Sequence, residues 1–244
     1  MNLVITGANG NLGSYLTKKY IETANNLILL YNKKSDRIKE FIIADRDNIK
    51  TYSVDLKDFN ALSKIFHSLN ITPDHLIHTA SQRSTDFSKL ADSAPTKWKK
   101  IIDNNILPTY NILKILIPRF RKTNKKNRIV LLGSNVSKIG LKQGSAYSAS
   151  KAAIANISRS VVQEEAKNNI IINTVSPGPI EIDDSHFSPD YRNFRKRYYK
   201  KQLEHIPMKC FAQLEDVFNL CDFLISEKNN YVNGEEIFMT GGRH

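Results

Sequence analysis

A tyrosine and a lysine four residues apart, in Tyr147-Ser-Ala-Ser-Lys151, have the types and spacing for proton transfer. Residues at i and i+4 share one face of a helix. There the ammonium favours the phenolate and draws down a tyrosine pKa that is otherwise about 10. A phenol tuned in this way gives or takes a proton near neutral pH. Ser134 stands thirteen residues upstream and Asn105 twenty-nine before that, adding a hydroxyl and an amide. Taken singly, these residues equally suit a surface tyrosine beside a solvated lysine, a strand-end serine and a polar helix position. The elements that carry them have to decide.

The chain opens on Leu3-Val-Ile-Thr6-Gly7-Ala-Asn9-Gly10-Asn11-Leu12-Gly13. An apolar strand runs into three glycines and then into the helical spacing of Leu12, Tyr15, Leu16 and Tyr20. Glycines at such a turn adopt positive φ and let the backbone approach a ligand. The helix N-terminus behind them offers N–H groups and partial positive charge to a pyrophosphate. The spacing departs from G-x-G-x-x-G, and an ordinary tight βα turn would look similar. Further strands are expected at 26–31, 50–54, 75–79, 128–133, 170–175 and 236–239, with helices near 58–69, 96–121, 145–167 and 214–227. Alternating strand and helix implies a parallel sheet covered on both faces. Ligands of such sheets bind outside the carboxyl ends of the strands. Gly7, Thr79, Ser134 and Pro177-Gly178 all fall where an expected strand stops.

Thr6-Gly7, Asn105, Ser134, Tyr147/Lys151, Pro177-Gly178 and Gly241-Gly242 stand in a familiar order and spacing. On these residues the chain resembles the short-chain dehydrogenases/reductases over nearly its whole length. The stretch from Ile206 to Gly242 resembles 3-oxoacyl-carrier-protein reductases in particular. The resemblance implies an α/β fold: one Rossmann domain over residues 1–244, a doubly wound parallel sheet with helices on both faces, and a substrate lid around 181–207. It implies hydride transfer between nicotinamide C4 and a carbonyl carbon. Tyr147 would give its proton to the carbonyl oxygen and Ser134 would hydrogen-bond that oxygen. Lys151 would hold the ribose hydroxyls and lower the tyrosine pKa, and Asn105 would hold a water linking the lysine to solvent. The cofactor would meet Gly7, Asn9, Gly10, Asn11, Leu12, Gly13, Thr79, Ala80, Tyr147, Lys151, Pro177, Gly178 and Ile180. Asp55 and Leu56 resemble the family's adenine-contacting pair, and Asp55 also suits a helix N-cap.

Departures from the family pattern are informative. Thr6–Gly13 reads TGxxGxxG, and Leu76-Ile-His78-Thr-Ala-Ser81 replaces the usual NNAG segment. Both resemble the extended branch, which includes sugar-nucleotide epimerases and dehydratases. A chain of 244 residues is expected to lack that branch's larger substrate domain. Ile182 stands where a threonine is common, so one hydrogen bond to the nicotinamide carboxamide would come from elsewhere. Strand two ends in Tyr31-Asn32-Lys33-Lys34, with no carboxylate until Asp36. An acidic residue there would select NAD. Lys33 and Lys34 instead favour a 2′-phosphate, so NADP(H) is the expected cofactor and NAD(H) the alternative, with Asn32 and Lys33 among its expected contacts. A merely solvated basic turn would read the same way.

Between the Pro-Gly turn and Ile206, aromatics interleave with cations: His186, Phe187, Tyr191, Arg192, Phe194, Arg195 and Tyr198 among them. Such a mixture suits an anionic substrate. It equally suits a lid helix packing Phe187, Tyr191, Phe194 and Tyr198 downwards. Composition bounds the rest. At 41% hydrophobic the chain can bury the full core of one α/β domain. No apolar run approaches a membrane span, and a strand starting at Asn2 leaves no signal peptide. Cys210 and Cys221 make no disulfide framework, which fits a reducing cytoplasm. The six histidines show no metal-ligand spacing, so no metal is expected.

A net charge of +12, densest from Arg119 to Arg128, raises nucleic acid as a partner. The run ends a helix, where cations are ordinary capping chemistry, and no nucleic-acid module accompanies it. It is expected to be a solubilising surface, with docking of an acidic carrier protein as the alternative. The expected activity is NADP(H)-dependent interconversion of a ketone and a secondary alcohol. The substrate would be small, and either carrier-bound or anionic. Two alternatives are an enzyme acting on a sugar or sugar-nucleotide of surface-polysaccharide assembly, and a catalytically silent cofactor-binding scaffold. The resemblance also implies a homo-oligomer, dimer or tetramer. The stripe Ile112, Leu113, Leu116 and Ile117 suits such an interface or the chain's own core.

Overall fold

The computed structural model describes residues 1–44, 46–185 and 187–243; the side chains of Asp190, Tyr191 and Phe194 lie outside that description. Apolar runs bounded by turns form strands β1 (Asn2–Thr6), β2 (Asn26–Tyr31), β3 (Ile49–Ser53), β4 (His75–His78), β5 (Asn127–Leu132), β6 (Ile170–Pro177) and β7 (Glu236–Met239). All pair in parallel, in the order β3-β2-β1-β4-β5-β6-β7. The connections carry helices α1 (Asn11–Tyr20), α2 (Lys39–Ile43), α3 (Phe59–Ser68), α4 (Pro95–Phe120), α5 (Val136–Ile139), α6 (Ser145–Glu165), α7 (Pro189–Glu204) and α8 (Leu214–Ile225). This is the expected doubly wound α/β fold. The third and fifth strands begin one residue earlier than their patterns suggested. Helices α2 and α5 are too short to show any helical period.

Strand side chains alternate between faces, and each face buries its own core. Leu3, Ile5, Leu27, Leu29 and Val130 pack with Leu16 of α1 and Val217 and Leu224 of α8. Val4, Ile28, Leu30, Ile129 and Leu131 pack with Phe66 of α3, Ile112 and Leu116 of α4, and Ile154 of α6. Burial on both sides is why the strands read as near-continuous apolar runs. Ile112, Leu113 and Leu116 are buried here, with Ile117 packed at the margin, so that stripe is intrachain core rather than an interface. The outward side of α4 carries Leu107 and Tyr110, 42% and 50% exposed.

One local expectation changes. Helix α3 is capped by Asp58, whose carboxylate accepts from the Ala61 N–H at 2.9 Å. Asp55 is not the cap: its Oδ1 accepts from the Lys57 N–H at 3.0 Å, forming an Asx turn before the helix. A cap has to sit directly before the first helical residue, and that residue is Phe59. The cationic run keeps Arg121, Lys122, Lys125 and Lys126 exposed, as a solubilising surface requires, and buries Arg128. Arg119 Nη1 donates to the Ile115 carbonyl at 2.9 Å, Arg121 pairs with Glu165, and buried Arg128 donates from Nε to the Asn229 carbonyl at 3.1 Å. Among the described residues no helix is long and apolar enough to cross a membrane.

The strand order turns at β1: β2 and β3 extend the sheet one way, and β4 and its successors the other. That switch opens a crevice beyond the carboxyl ends of β1 and β4. Gly7 sits there at φ +66°, where a Cβ would lie 2.7 Å from the Ala80 nitrogen. A Cβ on Gly13 would lie 2.2 Å from the Gly7 carbonyl oxygen, so α1 rests directly on the turn. A Gly13→Val substitution should therefore lever α1 off the sheet. The expected cost is about 3 kcal/mol, read as a lowered urea midpoint. A wild-type midpoint would refute this packing.

Candidate active site

The crevice is a cleft of about 470 Å³, the size of a small-molecule site. Gly7, Asn9 and Gly10 form one wall, Tyr31 and Asn32 another, and Asp55, Leu56, Thr79 and Ala80 the floor and rim. Gly10 N-caps α1 without a capping side chain, and no acidic residue stands in the first helical turn. The helix therefore points its unpaired N–H groups and positive end at the cleft. Asn9 holds the rim: its Oδ1 accepts from the Arg37 N–H at 2.8 Å and its Nδ2 donates to Asp36 at 3.3 Å. A Cβ-free backbone at Gly7, an open helix end and a polar wall fit a dinucleotide.

Not every expected contact lines this cleft. Asn11, Leu12 and Gly13 belong to α1's first turn, and Lys33, at φ +53°, lies off the lining while Asn32 is on it. Pro177, Gly178 and Ile180 gather further along, at the end of β6. Gly178 N–H donates to the Met239 carbonyl at 2.9 Å, and Ile180 bridges to Ala212. Ser81, Gln82, Asn104 and Pro108 line the cleft without having been expected. The first two follow directly from the end of β4. The others arrive from α4, and nothing local in the sequence announces them.

The catalytic candidates collect one strand further on. Lys151 is buried, and its Nζ donates to the Leu132 carbonyl at 2.7 Å, two residues before Ser134. The same Nζ lies 5.7 Å from the centroid of the Tyr147 ring. Burial lowers the Lys151 pKa to about 8. Ser134 is half-buried, and its hydroxyl makes only 3.5 Å contacts with Asn135 and Val136. Its hydroxyl is thus left for a third party. The fold thus brings Ser134, Tyr147 and Lys151 to the carboxyl end of β5, beside the cofactor cleft.

Asn105 ties α4 to the segment after β4 and to α6. Its Oδ1 accepts from the Gln82 N–H at 2.7 Å, and its Nδ2 donates to the Gln82 carbonyl at 3.1 Å and to Ser150 Oγ at 3.0 Å. Both amide protons are committed, so the side chain clamps the 82 segment to α6, while Oδ1 keeps a second lone pair. Ser150 in turn donates to the Tyr147 carbonyl at 2.7 Å. Pro108 removes the N–H that would bond the Asn104 carbonyl, loosening α4 beside the cleft.

His78, the departure from the usual strand-four segment, is wholly buried and joins the two halves of the site. Thr109 Oγ1 donates to the Asn105 carbonyl at 2.9 Å, so towards His78 Nε2, 3.0 Å away, it can only accept. The imidazole proton is therefore on Nε2, and bare Nδ1 accepts from Thr6 Oγ1 at 2.7 Å. Burial first, and the Lys151 charge second, lower the His78 pKa to about 3, keeping the ring neutral. Thr6, His78, Thr109, Asn105 and Ser150 thus form one satisfied polar strut from the glycine turn to the tyrosine helix.

Two outcomes are expected. His78→Phe leaves the buried Thr6 hydroxyl without its acceptor and takes a donor from Thr109, and should cost about 2–4 kcal/mol in a denaturant titration; a cost below about 0.5 kcal/mol would remove the strut. Lys151 has a folded-state pKa below its unfolded value. Its burial therefore destabilises the protein at neutral pH, and that penalty fades as pH rises from about 8 to 10.5. The shift corresponds to about 3 kcal/mol, partly offset by the Leu132 hydrogen bond. Lys151→Met should thus be the more stable protein at pH 7, with the gap closing by pH 10. A gap that does not change with pH would refute a buried ammonium.

Comparison with known proteins agrees with this geometry. A family model described as enoyl-(acyl carrier protein) reductase matches residues 7–244. The 3-oxoacyl-acyl-carrier-protein reductase FabG of Buchnera aphidicola (subsp. Acyrthosiphon pisum) is 29% identical, covering 98% of this chain and 96% of the relative. FabG of Staphylococcus aureus (strain Mu50) is 24% identical over 99% of this chain and 97% of its own length. Among solved structures, 4-hydroxyisoleucine dehydrogenase complexed with NADH superposes with a TM-score of 0.87 at 22% identity, covering 99% of this chain and 98% of the other. ElxO with NADP bound superposes at 0.86 and 24% identity, over 99% of this chain and 98% of the other. With its doubly wound sheet, its glycine turn and its serine, tyrosine and lysine at the end of β5, the chain belongs to the short-chain dehydrogenase/reductase family of NAD(P)-dependent oxidoreductases.

Proposed function

We propose that this protein is an NADP(H)-dependent oxidoreductase that interconverts a ketone and a secondary alcohol. The observation that carries this reading is the buried Lys151 ammonium, bonded to the β5 end at Leu132 and 5.7 Å from the Tyr147 ring. Gly7, Gly10 and the first turn of α1 would hold the cofactor's pyrophosphate, Asp55 and Leu56 its adenine, and Lys151 its nicotinamide ribose. When bound, the nicotinamide supplies the hydride for reduction or accepts it for oxidation. The Tyr147 hydroxyl protonates the carbonyl oxygen as the alcohol forms. Ser134, whose hydroxyl has only long contacts, donates to the same oxygen and holds it in line. Lys151 keeps positive charge beside the phenol and so favours its proton release. The Asn105 clamp keeps the 82 segment and α6 in fixed relation, a positioning role.

NADP(H) preference is supported by the wall at the end of β2, which presents Tyr31 and Asn32 to the cleft and no carboxylate. Asp36, the nearest acidic residue in sequence, is held by Asn9 at the rim. The relatives named 3-oxoacyl-carrier-protein reductase support a 3-oxo substrate. The free thiols of Cys210 and Cys221 suit a reducing, cytoplasmic location. Leu107 and Tyr110 on the outward side of α4 suit a homo-oligomer.

The test is oxidation of NADPH, compared with NADH, over a panel of 3-oxoacyl and sugar ketones. Wild type should favour NADPH about tenfold or more, and Tyr147→Phe should lower kcat roughly 100- to 10,000-fold with cofactor affinity retained. Turnover that survives loss of the phenol would overturn the mechanism. Tight NADPH binding with no ketone reduced would favour a silent scaffold.

A further inference from the structure

Two segments that lie far apart in the sequence meet above the end of β5. One follows β4 and carries Arg83; the other follows β6 and carries Phe187, with α7 behind it. Because β5 lies between β4 and β6 in the sheet, a contact between these segments spans the strand end that carries Ser134. The Arg83 guanidinium carbon sits 4.4 Å from the Phe187 ring centroid, and that of Arg195 sits 5.4 Å from the same centroid. Arg195 also lies 4.5 Å from the Tyr199 centroid and donates from Nη1 to the Tyr199 hydroxyl at 3.2 Å. Tyr199 is itself braced by Phe211, 5.4 Å away.

Arg195 is not disposed like a solubilising cation. Its side chain is only 11% exposed, and its buried Nε has no hydrogen-bond partner among the described residues. The carboxylate paired with it, on Asp184, is 3.7 Å from that nitrogen and 42% exposed. Withdrawing a guanidinium from water is costly unless its donors are met. Bringing a second guanidinium to the same ring adds like-charge repulsion. Both costs fall if an oxyanion enters between them, because the planar fork matches a carboxylate or phosphate with two parallel hydrogen bonds. Aromatic faces on Phe187 and Tyr199 fix the orientation of that fork in advance.

We propose that Arg83 and Arg195 form an oxyanion subsite over the catalytic end of the sheet, so that the substrate is a ketone carrying a carboxylate or phosphate group. This rests on the ketone-reductase reading above and narrows it to an acidic substrate class. The helix α7 then acts as a charge-selective lid, and the positive lid surface of Arg192, Lys196 and Arg197 draws the anion towards the subsite.

The experiment compares pairs that differ only in the anionic group: acetoacetate with methyl acetoacetate, and dihydroxyacetone phosphate with dihydroxyacetone, each with NADPH. Wild type should prefer one acid over its neutral partner by about 10- to 100-fold in kcat/KM, expressed through KM; the responding pair tells carboxylate from phosphate. Arg83→Gln and Arg195→Gln should each collapse that ratio to within about threefold, and Arg195→Lys, which keeps the charge without the fork, should fall between. Arg83 is exposed, so its variant stays readable if Arg195→Gln disturbs the lid. Absence of the preference in wild type, or its survival in both glutamine variants, would overturn the subsite. Should no ketone be reduced, the reductase reading fails on its own, and the subsite is then judged by calorimetric titration of the NADPH complex with inorganic phosphate and with acetate. Saturable binding lost in Arg83→Gln supports it; no binding overturns it.

Discussion

Lys151 puts a full positive charge in the protein interior, with a backbone carbonyl rather than a carboxylate as its partner. That arrangement sets terms for everything near it. The Leu132 carbonyl that receives the ammonium ends β5, so the charge pins α6 to the strand that presents Ser134. The same charge helps keep His78 neutral, and a neutral imidazole is what the two flanking threonines require. A carboxylate partner would have made the lysine easier to bury, but it would also have cancelled the field at the Tyr147 ring. The site thus holds a poorly solvated cation 5.7 Å from the Tyr147 ring.

The polar strut explains how such a charge is tolerated without loosening the fold. Buried hydroxyl, imidazole and amide groups are costly when half-satisfied and rigid when complete. From Thr6 to Ser150 each member has its donor or acceptor met, and the chain of contacts crosses β1, β4, α4 and α6. The glycine turn and the tyrosine helix, 140 residues apart in number, are therefore held in one frame. Pro108 and the Asn105 clamp lie where that frame borders the cleft, so the loosened turn of α4 faces the cleft rather than the core.

The segment between β6 and α8 follows a different logic. Its helix is strongly polar, and among the side chains described there Phe187, Tyr198 and Tyr199 are half-buried. The downward packing of Phe187 and Tyr198 that the pattern suggested is compatible with this, while Tyr191 and Phe194 fall outside the described side chains and His186 outside the described residues. Where the rest of the fold uses apolar contact to fix geometry, this segment uses stacked guanidinium and aromatic groups. Such contacts orient charge without removing it from reach of a ligand.

The amino-acid sequence alone determined whatever depends on neighbours along the chain. Glycine positions set the first turn, a four-residue Tyr147–Lys151 spacing placed phenol and ammonium on one helical face, and apolar runs alternating with helical periods dictated a parallel sheet. Those are short-range consequences of backbone sterics and side-chain period, so they survive without knowledge of the fold. Even so, Asp58 rather than Asp55 capped α3, because which of two nearby aspartates does so depends on where packing lets the helix start. Tertiary structure alone decided the partners. It turned the Ile112–Leu116 stripe inward, committed Asn105 to Gln82, gave His78 its two threonines and set Arg83 and Arg195 against the Phe187 ring. Each of those outcomes depends on strand order and register, which bring together groups whose separation in sequence carries no information about their distance in space.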